Sequence, residues 1–198
     1  FHDGRQPGYA PELVTASSVQ NLLIRNCVSL RTWDGIGLGD VANVRVENNV
    51  IVLPLIRSMP VGGEADNVRV RGNIFTDNLE KKRFSFLVPQ HVLLENNCFF
   101  LRYPASKRSV FGRGEQSLAA YNEAHKLEQG NLAANPEFAG LPRKANRRGR
   151  TYFGNGMLRH VNDFPDLFTT EPKLASRGIG LVPEAFEDLH FHQKEAGE

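Results

Sequence analysis

The sequence is poor in several features that would point to particular classes of protein. Its 198 residues include two cysteines and one tryptophan, and the formal net charge is only +2. So small a net charge gives no argument for nucleic-acid binding. No apolar run approaches the roughly 20 residues of a transmembrane helix. His190 and His192 are too isolated to argue for a metal. We therefore expect no nucleic-acid partner, no membrane span and no metal site at these histidines.

What the sequence does contain is a repeat. Related stretches lie at residues 21–30, 43–52, 67–76 and 91–100, at offsets of 22, 24 and 24 residues. A fixed period in this range is typical of repeat architectures in which each unit stacks on the last.

The aligned columns predict strands joined by an asparagine-rich corner. Two columns are apolar throughout: Leu22, Val44, Val68, Val92 and Ile24, Val46, Val70, Leu94. More polar residues separate them, and this period of two indicates a strand. A corner column then follows: Cys27, Asn49, Asn73, Asn97. Asparagine suits a corner because it tolerates left-handed backbone angles and its stacked amides can form a ladder. A second apolar column, Val28, Val50, Ile74, Cys98, predicts another strand after the corner.

Two further observations bear on this register. The outward column Arg25, Glu47, Arg71, Glu95 alternates in sign from one repeat to the next, which a wrong alignment would rarely give. Cys27 and Cys98 lie three repeats apart, which is about 14 Å at 4.8 Å for each repeat. A disulfide needs Cα atoms within about 7 Å, so we expect two unpaired, buried thiols.

The motif Asn-Val-x-Val-x-Asn-Asn-x-Ile resembles the coil repeat of right-handed parallel β-helix proteins, the pectate-lyase-like superfamily. The resemblance covers roughly residues 12–182. It includes the strand at 35–40 and the C-terminal pieces at 117–121, 135–138 and 176–181, with Asn135 where the family usually has Asp.

The resemblance implies an all-β fold, a right-handed parallel β-helix (solenoid) with an irregular C-terminal cap containing a short helix. We expect coils over residues 1–116 and a capping region with a tail over 117–198. Leu118, Tyr121 and His125 share one face of a predicted helix at 117–128, which Ser117 could cap. Residues 163–182 would close the end of the β-helix. The chain begins as if inside a coil, so we expect the C-terminal part of a longer protein whose earlier coils are missing.

For function, the resemblance implies a polysaccharide-active enzyme, extracellular or periplasmic, that binds a linear glycan along the groove. A glycoside hydrolase is favoured over a uronate lyase. The alternative is a non-catalytic β-helix module that binds glycan or supports an oligomer. No cofactor is expected, and calcium is left open.

The strand before the asparagine motif lines the substrate face in this family. Stacking it on that motif gives three columns: Glu12, Asp34, Ser58, Lys82; Ser18, Asp40, Glu64, Val88; and Pro11, Trp33, Arg57, Lys81. The candidate catalytic acids are Glu12, Asp34, Asp40 and Glu64. Neighbouring acids could lie about 5 Å apart, as in retaining glycosidases, and a diagonal pair such as Asp34 with Glu64 could supply the ~6.5–9.5 Å of an inverting enzyme.

The candidate substrate-binding residues are Trp33, Arg57, Lys82, His2 and Asp3. Trp33 could stack on a sugar ring, and Arg57 and Lys82 could neutralise a uronate carboxylate. His2 and Asp3 share a turn. Each has a plainer interpretation: Asp34 and Asp40 cap turns, Trp33 covers the edge of the core, and the other groups are solvated.

Overall fold

The computed structural model describes residues 12–30, 32, 34–52, 54, 57–76, 85–87, 92–100, 110–111, 117–138, 143–145, 151–153 and 167–182. This part of the chain is mostly β-strand with two short helices. The strands are β1 (Glu12–Ser17), β2 (Leu23–Arg25), β3 (Val28–Leu30), β4 (Asp34–Glu47), β5 (Val50–Val52), β6 (Met59–Arg71), β7 (Ile74–Thr76), β8 (Ser85–Leu87), β9 (Val92–Glu95), β10 (Cys98–Phe100), β11 (Val110–Phe111), β12 (Arg143–Ala145) and β13 (Thr151–Phe153). The helices are α1 (Leu118–Ala124) and α2 (Pro172–Ala175).

Most strands belong to two parallel sheets. The larger has the order β1-β4-β6-β8-β11, with β2 on β4 and β9 on β6, and the smaller has the order β10-β7-β5-β3. Strands β12 and β13 form a separate antiparallel pair. Val46 lies opposite Ile24 on one side and Val70 on the other. The alignment of the four repeats at their asparagine motif is therefore confirmed.

The smaller sheet is buried on both faces because successive residues of a strand point to opposite sides. Ile51 and Phe75 belong to a cluster with the inward residues of the larger sheet, such as Val46. Val50 and Ile74 belong to a second cluster on the other face. Full burial of such a side chain stabilises the fold by about 1.5–3 kcal/mol.

The predicted asparagine ladder is present at the corner between the two sheets. Asn49, Asn73 and Asn97 are fully buried. The Nδ2 of Asn49 donates to Oδ1 of Asn73 at 2.9 Å, and that of Asn73 donates to Oδ1 of Asn97 at 3.0 Å. Asn131 adds a further rung, since its Oδ1 accepts from Nδ2 of Asn97 at 3.0 Å. The sequence alignment missed this rung because α1 is inserted before it.

Helix α1 covers an edge of the larger sheet. Ser117 caps it, with its Oγ accepting from the Ala120 backbone N–H at 3.1 Å. The buried Tyr121 hydroxyl accepts from the Leu94 N–H and donates to the Val92 carbonyl, both at 3.2 Å. These two backbone groups of β9 would otherwise be unsatisfied at the edge. The predicted helix and its cap are confirmed, although the helix is shorter than expected.

We expected residues 163–182 to close the end of the repeat array. The described part of this segment, 167–182, instead runs alongside the array. Leu174 and Ile179 pack in the second cluster, on the outer face of the smaller sheet. Asn96 donates to the Arg177 carbonyl at 2.9 Å, and Asn26, in the first repeat, accepts from the Val182 N–H at 3.1 Å. The physical reason is the apolar column on the outer face, which needs a cover.

Cys27 and Cys98 are both free, as predicted. Cys98 is fully buried, but Cys27 is only half-buried. Cys27 occupies the first corner position, where its backbone N–H donates to Oδ1 of Asn49 at 2.9 Å. Neither α1 nor α2, the helices of the described residues, is long and apolar enough to cross a membrane.

Candidate functional site

The register before the ladder differs from the sequence alignment by one residue in the third repeat. Asp34 lies opposite Glu12, as predicted. On its other side it lies opposite Arg57, whereas the alignment put Ser58 there. The cause is an extra residue in β6: Gly39 pairs with Gly62, yet Val41 pairs with Ala65. The predicted opposition of Asp34 and Ser58 is therefore wrong.

Asp34 and Arg57 form a bidentate ion pair. The Arg57 Nε donates to Oδ1 of Asp34 at 3.0 Å, and Nη2 donates to Oδ2 at 2.5 Å. Asp34 is only 3% exposed. Two parallel hydrogen bonds from one guanidinium fix the orientation of a carboxylate as well as binding it. This arrangement joins two repeats, and a catalytic role for Asp34 stays a prediction.

Asp40 and Glu64 lie on neighbouring repeats and are both exposed. Oδ1 of Asp40 accepts from the Glu64 backbone N–H at 2.9 Å. Asp40 has a φ of +51° and Gly63 one of +64°. A Cβ on Gly63 would lie 2.1 Å from Oδ1 of Asp40, so glycine leaves room for the carboxylate. Asp40 and Glu64, predicted as neighbours, do lie on adjacent strands, and the chain bends at Asp40 and Gly63.

The two acidic positions of β4 are far apart. Asp34 and Asp40 are separated by six residues of one strand, which is roughly 20 Å at 3.3 Å for each residue. Glu64 lies a similar distance from Arg57, the partner of Asp34. The diagonal pair of Asp34 with Glu64 therefore does not have the spacing of an inverting glycosidase. Two predicted pairs of acids on neighbouring strands keep their register, Glu12 with Asp34 and Asp40 with Glu64, and in the second pair both residues are exposed.

Three positions on the outer face of β4 and β6 near this pair are glycines and carry no side chain. Ile36 and Leu38 point into the core, so Gly37 and Gly39 face outward by alternation. Gly62 continues the strip on β6, opposite Gly39. A Cβ at Gly62 would meet no atom within 4 Å. A flat ligand could therefore approach the backbone closely along this glycine strip, which we define as Gly37, Gly39 and Gly62.

The other predicted site residues are placed only in part. Glu12 is in β1, with its Cα opposite that of Asp34. Four predicted substrate-binding residues lie outside the described residues: His2, Asp3, Trp33 and Lys82. Among the residues that the structure does describe, no group of three or more His, Cys, Asp or Glu is placed to hold a metal ion.

A second, exposed ladder beside this site was not predicted. The Nδ2 of Asn67 donates to Oδ1 of Asn43 at 2.7 Å, and that of Asn43 donates to Oδ1 of Asn21 at 3.3 Å. All three have positive φ, between +47° and +58°. The signal was present in the sequence, because three of the four repeats begin with Asn. This exposed ladder fixes the bend between the glycine strip and the second halves of β4 and β6.

A scan against protein-family models, a search of curated proteins and a search of solved structures each found no match to this chain.

Proposed function

We propose that the two parallel sheets are sides of a right-handed parallel β-helix. Parallel pairing of consecutive repeats, at the 22- and 24-residue offsets of Ile24, Val46 and Val70, supports this architecture. The buried asparagine ladder at one corner supports it as well. An experimental structure in which the chain winds left-handedly between sheets, or in which the sheets belong to separate units, would contradict the proposal.

The function that we propose on this scaffold is the binding and hydrolysis of a linear glycan along the outer face of β1, β4 and β6. The glycine strip supports binding because it lets sugar rings lie close to the backbone. The strip crosses the neighbouring strands β4 and β6, and such a path suits an extended polymer better than a compact metabolite. We propose an extracellular or periplasmic location for this activity.

The observation on which the catalytic part depends is the hydrogen bond between the Glu64 N–H and Oδ1 of Asp40. It fixes the Asp40 carboxylate against the backbone of Glu64, so two exposed acids lie on neighbouring repeats beside the glycine strip. Glycoside hydrolysis uses two such groups, one to protonate the leaving oxygen and one to act as nucleophile or base. Hydrolysis is favoured over uronate elimination because Arg57, one of the two candidates for neutralising a uronate, is bound to Asp34.

The test is a reducing-end assay of the chain on a panel of linear glycans, with Asp40→Asn and Glu64→Gln as variants. Each variant keeps the shape and removes the titrating group, so turnover should fall by about 10²–10⁴. Asp66→Asn is the matched control, since Asp66 is an exposed acid of the same strand. An unsaturated product that absorbs in the ultraviolet would identify a lyase instead. Normal turnover in both variants would exclude Asp40 and Glu64 from catalysis.

A non-catalytic glycan-binding module is the second candidate, and one observation favours it. Asp34 and Asp40 both have structural hydrogen-bond partners, namely Arg57 and the Glu64 backbone. On this reading their carboxylates join repeats and transfer no protons. Binding of a glycan to the chain with no cleavage, together with unchanged binding by Asp40→Asn, would support the module over the enzyme.

A further inference from the structure

A polar cleft lies at the C-terminal ends of β4 and β6, where Glu47 and Arg71 follow Asp40 and Glu64 by seven residues. Its volume is about 310 Å³, and it separates the segment 177–182 from the ends of β4 and β6. Glu47 and Arg71 line one side, and Arg177 and Gly178 line the other. Clefts that hold small ligands begin at about 300 Å³, so this one has room for a compact ligand only.

The charged residues of the cleft favour an anion. Arg71 and Arg177 are both exposed, against one carboxylate from Glu47. Within the described part of the chain, no hydrogen bond or ion pair engages the guanidinium of Arg71. That of Arg177 has one long hydrogen bond, from Nη1 to the Gly130 carbonyl at 3.4 Å. Two guanidinium groups with spare donors on facing walls are suited to a carboxylate.

The wall between them contains an unsatisfied acceptor. Asn96 lines the cleft and is only 3% exposed. Its Nδ2 donates to the Arg177 carbonyl at 2.9 Å, but its buried Oδ1 has no hydrogen-bond partner among the described residues. The equivalent Asn26 has both groups satisfied by Val182. A buried acceptor without a donor is uncommon in folded proteins, so a bound donor at this position would be stabilising.

We propose that this cleft binds a small hydroxylated carboxylate. The carboxylate lies between Arg71 and Arg177, and hydroxyl groups donate to Asn96 and Glu47. The ligand bridges the segment 177–182 to the strands, so binding stabilises the cover over the smaller sheet. This site is separate from the proposed glycan face, and its test does not depend on glycan cleavage.

The experiment is thermal unfolding of the whole chain with gluconate at constant ionic strength. Acetate tests the charge without hydroxyls, and sorbitol at the same millimolar concentration tests hydroxyls without charge. At ten times the Kd, gluconate should raise the Tm by about 3–5 °C in a saturable manner. Acetate and sorbitol should give less than about a third of that shift. No saturable shift with gluconate, or an equal shift with sorbitol, would overturn the proposal.

Matched variants locate the site. Arg71→Gln with Arg177→Gln should abolish the gluconate shift. The control pair, Arg69→Gln with Lys126→Gln, removes the same charge from exposed positions that do not line the cleft and should leave the shift intact. Asn96→Gly keeps the positive φ, as Gly72 does at the equivalent position of the third repeat, and should weaken gluconate binding at least about fivefold. Equal loss of the shift in the cleft pair and in the control pair would show a general charge effect and overturn the assignment.

Discussion

Asn73 donates from Nδ2 to Oδ1 of Asn97 at 3.0 Å, and the same nitrogen donates to the Val46 carbonyl at 2.8 Å. One side chain thus joins the following repeat, through Asn97, to strand β4 of the preceding repeat. Its Oδ1 in turn accepts from both the backbone and the side chain of Asn49. Because Asn73 is fully buried, water cannot replace these partners.

Asn73→Leu should therefore be strongly destabilising. Each buried group left without a partner costs about 1–3 kcal/mol, and the substitution orphans at least the Val46 carbonyl and the Asn49 N–H. We expect a loss of about 3 kcal/mol or more in urea unfolding. Asn67→Gly, in the exposed ladder, keeps the positive φ and should cost less than about 1 kcal/mol. Equal losses in the two variants would show that burial of the ladder has no energetic consequence.

The register at the ladder was predictable because two independent patterns agreed, the period-two alternation around Val44 and Val46 and the corner asparagines. The register before it was not, because one extra residue in β6 shifts the pairing. Its only trace is the doublet Gly62-Gly63, where β4 has the single Gly39. A glycine doublet marks a bend but does not say which neighbour the extra residue faces.

The cover over the smaller sheet had a local signal that went unused. Val50, Ile51 and Val52 form a continuous apolar run, and all three are fully buried. A strand without alternation is typical of a sheet buried on both faces. The apolar run thus indicates that another segment buries the outer face of this sheet. The residues that do so, Leu174 and Ile179, are more than 100 positions away. No local pattern specifies a contact at that separation.

Gly63→Ala should destabilise the protein where Gly62→Ala does not. Gly63 has a φ of +64°, and a Cβ there would lie 2.1 Å from Oδ1 of Asp40. The left-handed conformation alone costs a residue with a Cβ about 1–2 kcal/mol, and displacement of the Asp40 carboxylate adds to this. Gly62 has open space around its Cβ position, so we expect a change within about 0.5 kcal/mol. The measurement is the pair of urea midpoints, and a smaller loss at Gly63 than at Gly62 would contradict the bulge.

Arg57→Gln should reveal the role of the ion pair with Asp34. The substitution leaves a carboxylate that is 3% exposed without its guanidinium. Removing one partner of a fully buried pair costs about 3–5 kcal/mol, but 38% of the Arg57 side chain is exposed, so we expect about 2 kcal/mol.

Arg45→Gln is the matched control for that substitution. Arg45 is 3.8 Å from Glu47 with 59% of its side chain exposed, and such a pair contributes less than about 1 kcal/mol. Equal losses of unfolding free energy in the two variants would contradict a structural role for the pair of Asp34 and Arg57.

The last prediction concerns alkaline pH. Burial raises the pKa of the Cys98 thiol from 9.0 to about 12, and the hydrogen bond to the Ala134 carbonyl only partly opposes this. The folded state therefore keeps the thiol neutral, while the unfolded chain ionises it above about pH 9. The stabilisation is fully present below pH 9 and is lost progressively as the pH rises toward 12. Between about pH 8 and about pH 10.5, Cys98 should remove about 2 kcal/mol of stability.

Cys98→Val separates this effect from every other group that titrates in the same range. Valine is apolar and matches Val28 and Val50 in the aligned column, so the variant should fold with the same contacts. Its unfolding free energy should fall by about 2 kcal/mol less than that of the unsubstituted chain over the same pH interval. Urea unfolding at the two pH values under reducing conditions gives the difference directly. Parallel pH profiles for the two proteins would mean that Cys98 ionises as readily in the folded state as in the unfolded chain. That result would contradict the raised pKa that we attribute to its complete burial beside Ala134.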